Sequence, residues 1–387
     1  MMQRRLVSLF LCGDVMPARG IDQLLPHPSE PSLHESCVTH AGDYLQLAER
    51  MHGPMPKDVN FNYPWGAALD ELESRNIDAR IINLETSVTT SMAWDGTKGI
   101  HYKMHPLNAP FLTEAKIDCC VLANNHVLDW GEQGLRETLS TLRTNQIAHA
   151  GAGVNAAEAA APAILTISED SRVLIFAYGC DSSGVPPHWA AAENRPGVNF
   201  LSKLDTQTAQ HISRHIQAYK RPGDIVIVSI HWGSNWGYSL PQKHREFAHE
   251  LIALSQVDVI HGHSSHHPLG IEVFKSKLII YGCGDLINDY EGIESHLGFR
   301  GDLALMYFPL IDSLTGELKR LQIVPLRMKK FQLRRVSRSD ALWLCDMLCR
   351  EGEDRQLGTK IEIYPENTME VQWIREEEEC QEEDEDK

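Results

Sequence analysis

The stretch His261-Gly262-His263-Ser264-Ser265-His266-His267 puts four imidazoles in seven residues, directly after the apolar run Val257-Asp258-Val259-Ile260. The flanks predict a buried strand running into a glycine-containing turn, so several rings should emerge together at a strand's carboxyl end. Neutral imidazole is the commonest side-chain ligand for borderline transition metals. Four further apolar runs finish in the same way. They end in Cys12-Gly13-Asp14, Asn83-Leu84-Glu85, Ala123-Asn124-Asn125-His126 and His231-Trp232-Gly233. Polar residues usually follow strands, so one such ending means little. Together the five supply Asp, Glu, Asn and His, a donor set that suits Mn, Fe or Zn better than calcium or a thiolate site.

The elements that must hold these residues alternate along the chain. Residues 132–146 place Leu135, Leu139 and Leu142 at helical spacing, 204–219 do so with Ile212 and Ile216, and 242–255 with Phe247, Leu251 and Leu254. Strands between them imply parallel βαβ units, an α/β fold whose ligands sit outside the carboxyl ends of the strands. His244, His249, His211 and His215 fall on the predicted helices and are expected at the surface. Residues 26–63 lack periodicity and predict a long loop with a short helix near 43–51; a loop that long inside a compact domain is usually functional. After Lys277 strand follows strand, which predicts a second sheet layer. Residues 337–351 predict a helix, and 360–373 a hairpin turning at Pro365-Glu366-Asn367.

The chain of 387 residues, 42 % hydrophobic and 23 % charged, has the composition of a soluble globular protein. No apolar run approaches the roughly 20 residues of a membrane span. The basic start is followed by too short an apolar run for a signal peptide. Nine cysteines, odd in number and scattered, suggest reduced thiols and a cytoplasmic setting. Cys345 and Cys349, one helical turn apart, are too few to make a metal site alone. A net charge of −17 argues against nucleic acid as a partner. Nine acids between Arg375 and Lys387 predict a disordered solvated tail. The expected organisation is a body over 1–330, a helix-and-hairpin extension over 331–374 packed on it, and the acidic tail over 375–387.

Taken in order, Gly13-Asp14-Val15-Met16, Asn83-Leu84-Glu85, Ala123-Asn124-Asn125-His126, His231-Trp232-Gly233 and Gly262-His263-Ser264-Ser265-His266 resemble the motifs of the capsule-synthesis protein CapA family. That family is associated with poly-γ-glutamate and falls among the calcineurin-like metallo-dependent phosphatases. Lys98-Gly99-Ile100, Gly151-Ala152-Gly153 and Tyr281-Gly282-Cys283-Gly284-Asp285 extend the resemblance, which covers about residues 6–325.

The resemblance implies a layered sandwich of two packed mixed sheets flanked by helices. It implies Asp14, Glu85, Asn125, His231, His263 and His266 as ligands of one or two divalent ions, and His126 as the catalytic hydrogen-bond donor or acid. There are departures. Met16 stands where such phosphatases usually carry a histidine, Glu85 replaces an aspartate, and Gly-His-Ser-Ser-His-His replaces Gly-His-His-Pro-His. Two divalent ions about 4 Å apart can lower the pKa of a shared water toward about 7 and clamp an in-line displacement. The expected function is a metal-dependent hydrolase cleaving phosphoesters in a small-molecule or polymer substrate. The alternatives are a γ-glutamyl amide hydrolase or transferase and a non-catalytic capsule-assembly scaffold. His126 could instead cap the helix that follows it, and Trp232 and Trp236 could wall a ligand or simply pack around the site.

Overall fold

A computed structural model describes residues 5–293 and 297–374; the expected tail over 375–387 lies outside the described residues. The runs that precede the candidate ligands are strands buried on both faces, which is why they read as continuous rather than alternating hydrophobics. Along Leu6–Val15, Leu9 and Leu11 turn to one side and Phe10 and Cys12 to the other, and none is exposed.

Among the described residues these strands build two main mixed sheets. The larger runs Thr359–Ile363, Met369–Trp373, Leu318–Met328, Leu303–Asp312, Leu6–Val15, Ala79–Leu84, Cys119–Val121, Ala148–Ala150, its last four strands being parallel. The smaller has Ser171–Cys180, Ile225–His231, Val259–His263 and Lys277–Ile280 as its parallel centre. Leu9, Leu11, Ile81 and Val121 of the first sheet share one apolar cluster with Ile175, Ile227, Val259 and Ile280 of the second. The opposite faces carry helices. Phe10, Ile82 and Cys120 meet Leu135, Leu139 and Leu142 of the helix Gly131–Thr144. Val226, Val228 and Ile260 meet Ile212 and Ile216 of Thr206–Gln217 and Phe247 and Leu251 of Gln242–Ser255.

The strands after Lys277 do not form a layer of their own. Lys277–Ile280 completes the parallel part of the smaller sheet, while Leu303–Asp312 and Leu318–Met328 return as an antiparallel pair to the larger one. They cover the edge of Leu6–Val15 that Ala79–Leu84 leaves open. The C-terminal hairpin continues this sheet through the pairing of Met369–Trp373 with Leu318–Met328. Between them the helix Arg338–Asp354, capped by the Ser337 side chain, packs Leu344, Met347 and Leu348 into the cluster shared by the sheets. Within residues 26–63 the helix is Gly42–His52.

Register decides which polar ends meet. Asp14 lies beside Asn83 in one parallel pair, and His231 beside His263 in another. A short strand, Asp285–Ile287, leaves the smaller sheet's last turn and pairs in parallel with Leu6–Val15, setting Asp285 beside Asp14. This close approach requires glycine: a Cβ on Gly13 would stand 1.9 Å from the Gly284 carbonyl oxygen.

Candidate metal centre

Asp14, at the end of the first strand, is buried and accepts a hydrogen bond from Asn83 Nδ2 at 2.7 Å. A second, longer one comes from the Ser264 backbone N–H at 3.3 Å. Ser264 holds φ at +104°, a conformation that L residues seldom adopt, and it turns the histidine-rich segment back toward Asp14. His263 Nδ1 lies 4.0 Å from Asp14 Oδ1. His231 Nδ1 lies 2.7 Å from His263 Nδ1, and His231 Nε2 lies 3.0 Å from Asn125 Oδ1. Glu85 Oε1 is 3.8 Å from both His231 Nε2 and His126 Nε2. His266 Nδ1 pairs with Asp285 at 2.8 Å. All seven residues singled out in the sequence therefore lie around one buried centre at the strands' carboxyl ends.

The remaining histidines of the cluster have separate tasks. Ser229 Oγ bridges His261 Nδ1 at 3.0 Å and His263 Nε2 at 2.8 Å, which leaves His263 Nδ1 turned to the centre. His261 Nε2 donates to the Cys12 carbonyl at 2.7 Å, a direct link from the smaller sheet to the first strand of the larger. His267 packs with Tyr238 and Phe299.

The electrostatics of the centre are those of a cation cradle. Burial drives His126, His231 and His263 well below the ordinary imidazole range, so all three are neutral. Burial and then the Asp285 carboxylate push Asp14 up to about 6. Burial and then Asp14 hold Glu85 well above the usual carboxylate range. Burial opposes a charge on His266, but the Asp285 carboxylate raises it overall. Among the described residues no lysine or arginine pairs with Asp14 or Glu85, and Glu85 Oε2 is buried without a donor. Buried carboxylates without a counter-charge are costly, and two imidazole nitrogens 2.7 Å apart must share a proton or a cation.

The ligating atoms gather into two groups, each within 4.8 Å: Asp14, His231 and His263, and Asp14, His266 and Asp285. Asp14 belongs to both. Mixed carboxylate and imidazole donors at this spacing fit a divalent transition metal. Met16 instead packs, buried, with Tyr102, Ala18 and Tyr290, and the second group is complete without it because Asp285 supplies a carboxylate. Asp285 carries no predicted role in the sequence reading above. Its signal was present all the same, as a further apolar run, Leu278 to Ile280, ends five residues before it.

His126 is not a helix cap: the next helix begins only at Gly131, and His126 N–H bonds to Asn124 Oδ1 at 3.1 Å. Its Nδ1 pairs with Asp129 at 2.6 Å, and Lys98 Nζ bonds to the other Asp129 oxygen and to the Asn125 carbonyl. The Tyr102 ring stacks on His126 with centroids 3.9 Å apart. Sequence reasoning missed Asp129, three residues beyond a marked histidine, and gave Lys98 no role. Trp232 packs: it is buried and donates to the Tyr281 carbonyl at 2.9 Å. Trp236 lines the cavity above the centre, 5.3 Å from His266. His244, expected at the surface, is buried instead because its ring stacks on Trp232 with centroids 4.5 Å apart.

Fold and site define a two-sheet α/β protein with a buried centre of shared carboxylates and imidazoles. The chain belongs to the family described as bacterial capsule synthesis protein PGA_cap, whose profile matches residues 8–290. It is 43 % identical over 366 residues to a "Probable polyglutamine synthesis accessory protein" of Mycobacterium tuberculosis, covering 94 % of this chain and 96 % of the relative. It is 27 % identical over 246 residues to the "PGA biosynthesis protein CapA" of Bacillus subtilis, covering 63 % of this chain and 60 % of that protein. The "Capsule biosynthesis protein CapA" of Bacillus anthracis is 24 % identical over 324 residues, covering 84 % and 68 %. Among the described residues no helix is long and apolar enough to cross a membrane.

Proposed function

We propose that the chain is a divalent-metal-dependent hydrolase that cleaves phosphoesters. The observation that carries this reading is the Asp14 carboxylate common to two ligand groups. The sandwich of two inner sheet faces between outer helices supports a metallophosphatase-like fold. Asp14, Glu85, Asn125, His231, His263 and His266 hold one or two ions of Mn, Fe or Zn, with Asp285 added to the set. Bound there, the metal would supply Lewis-acid activation of water and neutralise charge on the phosphoryl oxygens.

The chain's own residues supply the rest. Asp129 fixes the His126 tautomer with its proton on Nδ1, leaving a bare Nε2 that can take a proton from the attacking water and pass it to the leaving oxygen. Lys98 holds Asp129 in place, and Tyr102 covers one face of the ring and keeps water from it. Asn125 Oδ1 orients toward His231. We take residues 1–330 as the body that carries this site and 331–374 as an extension of it. The scattered cysteines favour a cytoplasmic setting, and the net charge favours a small-molecule or polymer substrate over nucleic acid.

The names of the relatives favour a second reading of the same centre, a γ-glutamyl amide hydrolase or transferase linked to poly-γ-glutamate. Metal analysis of the purified protein, followed by phosphodiester, phosphomonoester and γ-glutamyl substrates, decides between the two. Metal-dependent turnover of a phosphoester alone is the expected result. Turnover of the γ-glutamyl substrate alone would move the assignment to the second reading. No turnover with any divalent ion would leave a scaffold.

A further inference from the structure

The centre opens on a cavity of about 820 Å³, within the range of small-molecule sites. Asn125, His126 and His266 of the centre line it. The lining also carries large apolar side chains, Val38, Leu47, Met51, Ile100, Ile293 and Met328. Met51 is 56 % exposed, Ile100 39 % and Ile293 38 %, so large hydrophobic side chains stand partly in solvent beside the candidate site. Single exposed hydrophobics are ordinary; several gathered around a concave site mark a surface built for a ligand.

The cations of the lining do not alter this character, since each is already matched. Arg19 bonds to Asp289 and Glu35, and Lys98 to Asp129. His52 pairs with Glu291, and Arg300 and Arg327 share Asp302 and Asp340. A polyanionic chain threaded through this cavity would meet no unmatched positive charge among the described lining residues. Arg19 also ties the wall in place. It donates to Glu35 at 3.1 Å and to Tyr44 at 2.7 Å, both in the 26–63 segment, and to Asp289 on the opposite side. The segment that carries Val38, Leu47 and Met51 is thereby tied to Asp289.

We propose that the substrate is amphipathic: a phosphate ester whose ester group sits at His126 and His266 and whose alcohol carries an apolar chain lying along Val38, Leu47, Met51 and Ile293. This rests on the phosphoesterase reading for the ester group only; the apolar lobe is tested separately, by binding.

Isothermal titration of the metal-loaded protein with methylphosphonate and with octylphosphonate reads the lobe without requiring turnover. Burial of the added methylenes is favourable, so the octyl ligand should bind at least tenfold more tightly than the methyl one. Met51→Glu should remove most of that ratio, whereas Leu314→Glu, an exposed leucine in a turn remote from the cavity lining, should keep it. Equal affinities for the two phosphonates would overturn the proposal, as would a γ-linked glutamate oligomer displacing octylphosphonate while the alkyl chain gave no gain. Turnover is read in parallel with methyl and octyl p-nitrophenyl phosphodiesters. A protein that binds octylphosphonate selectively yet hydrolyses neither diester would retain the amphipathic lobe and lose the phosphoesterase assignment.

Discussion

Replacing His126 with alanine should leave metal content unchanged and lower turnover by about 10²- to 10⁴-fold, because the residue is assigned to proton transfer rather than coordination. Asp14→Ala removes a carboxylate common to both ligand groups and should abolish both bound metal and activity, as metal analysis and steady-state kinetics would register. If His126→Ala lost its metal as well, the division between ligand and proton carrier would be wrong. Asp129→Asn is the finer probe. It keeps the shape of the His126 partner but no longer dictates the tautomer, and a loss of about 10- to 100-fold in turnover with metal retained is expected. Unchanged kinetics would reduce Asp129 to a structural partner.

At the level of elements, the strands were readable because both faces are buried and their apolar runs are unbroken. The helices 132–146, 204–219 and 242–255 were readable from the spacing of leucine and isoleucine, and they correspond to Gly131–Thr144, Thr206–Gln217 and Gln242–Ser255. What sequence could not convey was crossing between layers. Nothing in Tyr281-Gly282-Cys283-Gly284 says that the chain leaves the smaller sheet there, and so Asp285 went without a role and the later strands were assigned to a separate layer. The burial of His244 was invisible for a related reason, since the ring that covers it, Trp232, lies on a different element. The crossing can be tested directly. Gly13→Ala sets a Cβ against the Gly284 carbonyl, forcing Leu6–Val15 away from the turn that carries Asp285. A loss of about 1–3 kcal/mol, as for other overpacked sites, together with weaker metal binding is expected. A melting temperature equal to wild type would show that the two segments separate without cost.

For the whole molecule, the buried neutral His244 contributes to the response to acid. Burial lowers His244 from its ordinary value near 6.5 to about 4. Between those pH values the unfolded chain binds a proton at this residue that the folded protein does not, so the His244 contribution to stability is fully present above about pH 6.5 and falls as the pH drops toward 4. His244→Phe preserves an aromatic ring against Trp232 and cannot titrate. Its melting temperature should therefore decline less between pH 7 and pH 5 than that of the wild type. Parallel declines would remove His244 from the account of acid lability.

The bond from His261 to the Cys12 carbonyl joins residues 249 apart in the chain, and the donor set around it is similarly divided: the larger sheet brings Asp14 and Glu85, the smaller His231 and His263. A nascent polypeptide therefore holds no complete cage until its two halves have docked. On the proposed metal-dependent reading, loading would be a late event in biogenesis, and the ion would stabilise only the finished fold by mass action. The choice among competing ions would then fall to a completed cage of fixed geometry. A loose peptide would instead take up whichever ion the ordinary affinity series favours.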